Sequence, residues 1–136
     1  MDANEIALLA KSTLDGSRPF PEIVGELIKN GVEYYHVDYA TGSFTFYGAS
    51  GAAVIAPLTL ENLPPIGEEL DVAALKAAIL DGQQRGQKYR DFCGRAVRSG
   101  VHGYIAYLRG KRVTYFGRNG DHHTEWFPGA KPTDAT

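Results

Sequence analysis

The chain has 136 residues, 43% of them hydrophobic and 22% charged, with a formal net charge of −2 and one cysteine, Cys93. That is one ordinary domain, able to bury about two thirds of its unfolded surface without a metal or disulfide staple, and a lone cysteine excludes an intramolecular disulfide. No apolar run approaches the ~18 residues of a membrane span, and the start MDANEIALLAKS carries an acid where a secretory leader is basic. A cytoplasmic setting without membrane contact is expected.

Along the chain, Ile6, Leu9, Ala10, Thr13 and Leu14 fall on one helical stripe. Phe20, Ile23, Val24, Leu27 and Ile28 follow i, i+3, i+4, i+7, i+8, and Asn30-Gly31 supplies the left-handed residue that ends a helix. The pattern then changes to period two in GVEYYHVDY, SFTFY and AAVIA, separated by turns at Ala40-Thr41-Gly42 and Ala49-Ser50-Gly51. A proline-bearing stretch, residues 58–69, reads as a surface crossover. Val72, Leu75, Ala78 and Ile79 begin the next helix. Tyr89, Phe92, Cys93, Ala96 and Val97 form another, stopped at Ser99-Gly100. VHGYIAYL, RVTYF and DHHTEWF follow as strands, with turns at Arg109-Gly110-Lys111 and Arg118-Asn119-Gly120.

The second series repeats the first. Laid without a gap, residues 20–51 match 89–120 at seven of 32 positions, four of them glycines, a displacement of 69 residues. Ordinary composition gives about two such matches by chance. Glycines mark backbone geometry, so the repeat specifies architecture. The expectation is an α+β fold of two tandem α-α-β-β-β repeats, forming a mainly antiparallel six-stranded sheet packed against helices. One domain spans 1–136, divided into a first half at 1–57, a linker at 58–69, a second half at 70–128 and a flexible tail at 129–136.

The halves differ in charge. Residues 1–68 hold three basic residues against nine acids, a net −6, and residues 69–136 hold eleven against seven, a net +4. With an overall pI near 6.1, rather than above ~9, nucleic acid is a poor fit as partner.

Side chains alternate across strands and residues opposite each other in a hairpin share a face, so the meanders can be sorted by face, and a change between two- and four-residue loops leaves the parity unchanged. That sorting puts Tyr35, Val37, Tyr39, Phe44, Phe46, Ile55, Tyr104, Ala106, Leu108, Val113, Tyr115 and Trp126 under the helices. The opposite face then collects Tyr34, His36, Asp38, Thr45, Tyr47, Val54, Ile105, Tyr107, Thr114, Phe116, His123, Glu125 and Phe127. Such an aromatic face implies a homo-oligomer, a protein partner, a small-molecule ligand or coverage by another part of the chain. Tyr34, Tyr47, Tyr107 and Phe116 are its candidate binding residues. On the same face His36 and Asp38, and His123 and Glu125, form i, i+2 pairs. If the first and last strands approach, these four become candidates for a metal or acid-base site; each pair standing as an ordinary hydrogen bond is the plainer alternative. Cys93 belongs to a buried stripe and reads as a small core residue. His102 and His122 have the parity of the covered face.

The runs YHVDY (35–39), YLRGKRVTYFGRNGD (107–121) and EWFP (125–128) resemble a small bacterial family of unknown function, some of whose members are labelled phage envelope protein. The resemblance covers nearly the whole chain. It implies a compact α+β domain and brings no cofactor or catalytic residue. The resulting expectation is a non-catalytic binding or interaction module using the aromatic sheet face. The alternative is a small metal-dependent or acid-base enzyme built on His36, Asp38, His123 and Glu125.

Overall fold

The computed structural model describes residues 1–132. The part of the expected tail at 133–136 lies outside them. Four helices, α1 (Ala3–Asp15), α2 (Phe20–Lys29), α3 (Val72–Gln84) and α4 (Tyr89–Arg98), alternate in pairs with six strands. The strands are β1 (Val32–Asp38), β2 (Ser43–Gly48), β3 (Ala53–Pro57), β4 (Val101–Tyr107), β5 (Arg112–Gly117) and β6 (His122–Trp126). The order α-α-β-β-β occurs twice, as the repeat requires.

The sheet runs β3-β2-β1-β4-β5-β6, every neighbouring pair antiparallel. The central β1–β4 seam joins the halves. It pairs His36 with Ile105, residues 69 apart and therefore counterparts in the repeat. A pseudo-two-fold axis thus passes through that pair, normal to the sheet. The symmetry extends to fine detail. Asp2 caps α1 by accepting from the N–H groups of Asn4 and Glu5 at 3.0 and 3.1 Å, and its counterpart Asp71 caps α3 through Ala74 N–H at 3.0 Å. Register breaks at Val32/Tyr34 and Val101/Gly103 place Glu33 and His102 in matching bulges.

The helices cover one face of the sheet. Tyr35, Val37, Phe44 and Phe46 from the first half, and Tyr104, Ala106 and Tyr115 from the second, are buried beneath Ile6, Leu9, Ile23, Leu27, Leu75, Cys93 and Val97. Gly31 and Gly100 end the second helix of each half at φ 83° and 95°, the left-handed region expected of them. The crossover is not a free surface loop. Leu58 is buried, and Gly67 and Asp71 donate their N–H groups to the carbonyls of Val97 and Ser99 at 3.0 and 2.7 Å. It seats on the end of α4.

The helical stripes are narrower than their apolar residues. Phe20, Ile28 and Val72 are 44%, 52% and 37% exposed.

The face sorting fails on β3 and β6. Gly48 N–H donates to Ala52 O at 2.9 Å and Gly117 N–H to Asp121 O at 2.7 Å, so three residues close each of these hairpins. Gly51 and Gly120 take the third loop position at φ 84° and 89°, the left-handed step of the three-residue hairpin. An odd loop reverses the parity of the strand after it. Phe46 therefore faces Val54, and Tyr115 and Val113 face His123 and Glu125. Val54, His123 and Glu125 lie on the helix side. Ile55, Trp126 and His122 lie on the open side, with Ile55 74% exposed.

Candidate functional site

Register across six strands turns the open face into three rows. The first runs Ala53, Tyr47, Tyr34, Tyr107, Arg112, Trp126. The middle row is Ile55, Thr45, His36, Ile105, Thr114, Thr124, and the third is Pro57, Ser43, Asp38, Gly103, Phe116, His122. The pseudo-axis at His36 and Ile105 exchanges the outer rows, yet their chemistry differs. Three tyrosines, an arginine and a tryptophan stand in one; the other has one phenylalanine, Phe116, and an imidazole, His122.

The aromatic row packs in two groups, Tyr47-Tyr34-Tyr107 and Arg112-Trp126. Tyr34 stacks on Tyr47 with ring centroids 4.8 Å apart and planes at 17°, and its ring lies 6.1 Å from that of Tyr107. The Arg112 guanidinium sits 4.1 Å over the Trp126 ring, a cation–π contact that ties the two side chains together. Of the four expected binding residues, Tyr34, Tyr47 and Tyr107 share this row. Phe116 stands in the opposite one, about 13 Å away along the strands. Arg112 and Trp126 join the row although sequence reasoning did not nominate them. Tyr107, Arg112, Thr114 and Thr124 line a shallow depression beside it.

The four His and carboxylate candidates do not converge. His36 and Asp38 sit on the open face, His123 and Glu125 on the helix side, and β1 and β6 are three strand spacings apart, about 14 Å. Among the described residues, no three His, Cys, Asp or Glu side chains are placed to hold one metal ion. Asp38 is engaged elsewhere: its carboxylate accepts from the N–H groups of Ala40 and Thr41 at 2.9 and 3.1 Å, closing the β1–β2 turn. Partial burial pushes its pKa up, but the N–H donors of Thr41 and Ala40 outweigh this and hold it below the ordinary carboxylate value.

His123 and Glu125 instead line a cleft of about 500 Å³ between α3 and β6, with Lys76, Gln83, Phe127 and Lys131. His123 Nε2 is buried, has no hydrogen-bond partner among the described residues, and lies 3.6 Å from Glu125 Oε1. That is too long for a hydrogen bond, and the pair is ionic only when the imidazole is protonated.

Cys93 is fully buried. The Tyr39 hydroxyl donates to its sulfur at 3.4 Å, and the Tyr89 and Tyr104 hydroxyls share a hydrogen bond at 2.6 Å beside it. Burial, set against hydrogen bonds from Tyr39 and Tyr89, pushes the thiol pKa up to about 11. A thiol held protonated is inert. His102 is half-buried in its bulge, and His122 is exposed.

Fold and face together define a duplicated α+β domain with its helices on one side of the sheet and an aromatic row on the other. The chain belongs to a family described as a protein of unknown function (DUF1398), whose model matches residues 11–124 and so takes in both repeats. No curated protein matches it. Among the described residues, no helix is long and apolar enough to cross a membrane.

Proposed function

We propose that the protein is a non-catalytic interaction module that pairs with a second copy of itself through the open sheet face. The observation that carries this reading is the row Tyr47, Tyr34, Tyr107, Arg112, Trp126, a run of rings and one guanidinium in register on the sheet face opposite the helices. Tyrosine, tryptophan and arginine are the side chains that dominate binding energy at protein interfaces. The neighbouring Ile55, 74% exposed, extends the apolar area toward the sheet edge.

Charge selects the orientation. If the dimer axis runs parallel to the strands, the half of net charge −6 lies over the partner's half of +4. An axis across the strands sets like on like. The first arrangement also lays the aromatic row on itself, with Tyr34 facing the partner's Tyr107 and Tyr47 facing the partner's Arg112. The face is roughly 24 Å by 17 Å from strand spacing and rise. Its footprint of about 400 Å² per protomer is below the ~800 Å² of standard interfaces, so the dimer is dependent on concentration. The buried, unpaired Cys93 fits a reducing cytoplasmic compartment, and a bacterial, prophage-borne origin belongs to the same reading.

Sedimentation across micromolar to millimolar protein tests this. The wild type should pass from monomer to dimer, Tyr34→Ser/Tyr107→Ser should remain monomeric, and Arg112→Glu should associate more weakly. A wild type that stays monomeric throughout overturns self-association, as does a dimer indifferent to the tyrosine pair.

A further inference from the structure

The duplication supplies an internal control for the cleft between α3 and β6. Subtracting 69 from Gln83, His123, Glu125 and Phe127 gives Leu14, Val54, Ala56 and Leu58. In the first half these positions are apolar: α1 packs onto β3, Leu14, Ala56 and Leu58 are 7%, 1% and 4% exposed, and Val54 is half-buried against the core. In the second half the same place on the same backbone is a cavity of about 500 Å³, within the roughly 300–1,000 Å³ typical of small-molecule sites. One half seals what the other leaves open, and the open version has exchanged aliphatic side chains for an amide, an imidazole and a carboxylate.

The exchange is unfavourable for folding alone. A buried polar atom without a partner, such as His123 Nε2, lowers stability relative to the aliphatic group its counterpart uses. Glu125 is likewise brought to the cleft wall, its side chain 33% exposed, with the His123 ring packed beside it at 3.6 Å. At the rim stand the exposed Lys76 and Lys131. Cations outside and a carboxylate within make a graded site: an anionic group is drawn to the lysines, and a hydrogen-bond donor on the same molecule meets Glu125.

We propose that the α3–β6 cleft binds a small organic acid carrying a hydroxyl or amino group near its carboxylate. Lys76 and Lys131 hold the carboxylate, Glu125 accepts from the donor, and Gln83 satisfies a remaining polar group. His123, whose ring packs 3.6 Å from the Glu125 carboxylate, is a positioning residue that limits where that carboxylate can sit. The cleft wraps the β6 edge and shares Thr124 and Trp126 with the open face, but the groups assigned to the acid, Lys76, Gln83, Glu125 and Lys131, lie outside the aromatic row, so each proposal has its own variants.

The test is titration of the isotope-labelled protein with lactate, malate, serine, propionate and phosphate, followed by amide chemical shifts. At least one of the first three should give saturable shifts confined to α3 and β6 at millimolar concentration. Propionate, without a donor, and phosphate, without a carboxylate, should bind roughly tenfold more weakly, as expected for loss of a charge-assisted hydrogen bond. Gln83→Leu/His123→Val/Glu125→Ala installs the first-half residues and should abolish the shifts while melting no lower than the wild type. Should that variant fail to fold, the near-isosteric Glu125→Gln should still weaken binding, and Lys76→Ala should do so several-fold. His123→Gln, which retains a polar group facing Glu125, should keep more affinity than His123→Val. No saturable shift from lactate, malate or serine overturns the proposal. So does binding of propionate or phosphate as tight as theirs, or binding that survives Glu125→Gln unchanged.

Discussion

The two halves of this protein share a backbone down to matching helix caps, bulges and three-residue turns, yet each is closed by a different part of the chain. In the second half the crossover lies against the end of α4. Gly67 binds the Val97 carbonyl, and Val97 is 1% exposed, whereas its counterpart Ile28, with no such cover, is 52% exposed. At the other end the roles reverse: α1 seals β3, while α3 leaves β6 undercut by a cleft. Duplication reproduced the frame, and the residues that fill it diverged where neighbours differ.

The largest expected effect lies at the glycines that end α2 and α4. A Cβ on Gly100 would collide with the Glu69 carbonyl and come within 3.0 Å of Leu70 Cα, whereas one on Gly31 would meet only Met1 Cγ at 3.7 Å. Both residues have positive φ, so Gly31→Ala should lose about 1 kcal/mol from backbone strain, and Gly100→Ala about 3 kcal/mol or more. Urea denaturation decides it; equal losses would mean that the crossover yields freely and the halves are closed alike.

Alkaline pH probes the buried cluster around Cys93, a second-half residue whose thiol Tyr39 of the first half meets. Its thiol ionises near 9.0 when unfolded and near 11 when folded, mainly because burial disfavours the thiolate. The neutral form is the one the fold prefers, so this stability is complete below pH 9.0 and is lost as pH climbs toward 11, by up to about 3 kcal/mol. Val24 occupies the counterpart position, and Cys93→Val should flatten the decline. An unchanged slope in that variant would assign the loss to the surrounding tyrosines.

Exchanging residues between the closed and open ends should move stability in opposite directions. Val54→His puts an imidazole into the sealed end and should cost about 2 kcal/mol. His123→Val removes an orphaned buried nitrogen and should gain about 1 kcal/mol. Thermal melts that fall for both would show that His123 has a partner in solution. The smallest contrast is at the helix caps, where Asp2→Ala and Asp71→Ala should each lose about 1 kcal/mol. A loss at Asp71 well above that at Asp2 would mean that the crossover depends on the cap for its docking.

Much of this was legible in residue patterns. Apolar spacing located all four helices, the 69-residue repeat foretold matching halves, and Gly31 and Gly100 announced their left-handed conformation, because periodicity and glycine positions are local consequences of backbone geometry. Tyr34 and Tyr47 could be put on one face because an even loop joins β1 to β2, and Tyr107 because the repeat lays it over Asp38, which shares that face. Trp126, His123 and Glu125 could not be placed, since three-residue loops before β3 and β6 reverse the side each strand presents, and such a loop changes the composition of a turn very little. Strand order was also beyond local pattern. With β6 at the sheet edge, three strands from β1, the two His-carboxylate pairs stand apart, a separation set by pairing between distant segments. The chain by itself determined its elements, their duplication and an aromatic strand face; tertiary pairing alone decided which side chains meet, because register and loop parity turn a one-residue difference into a change of face.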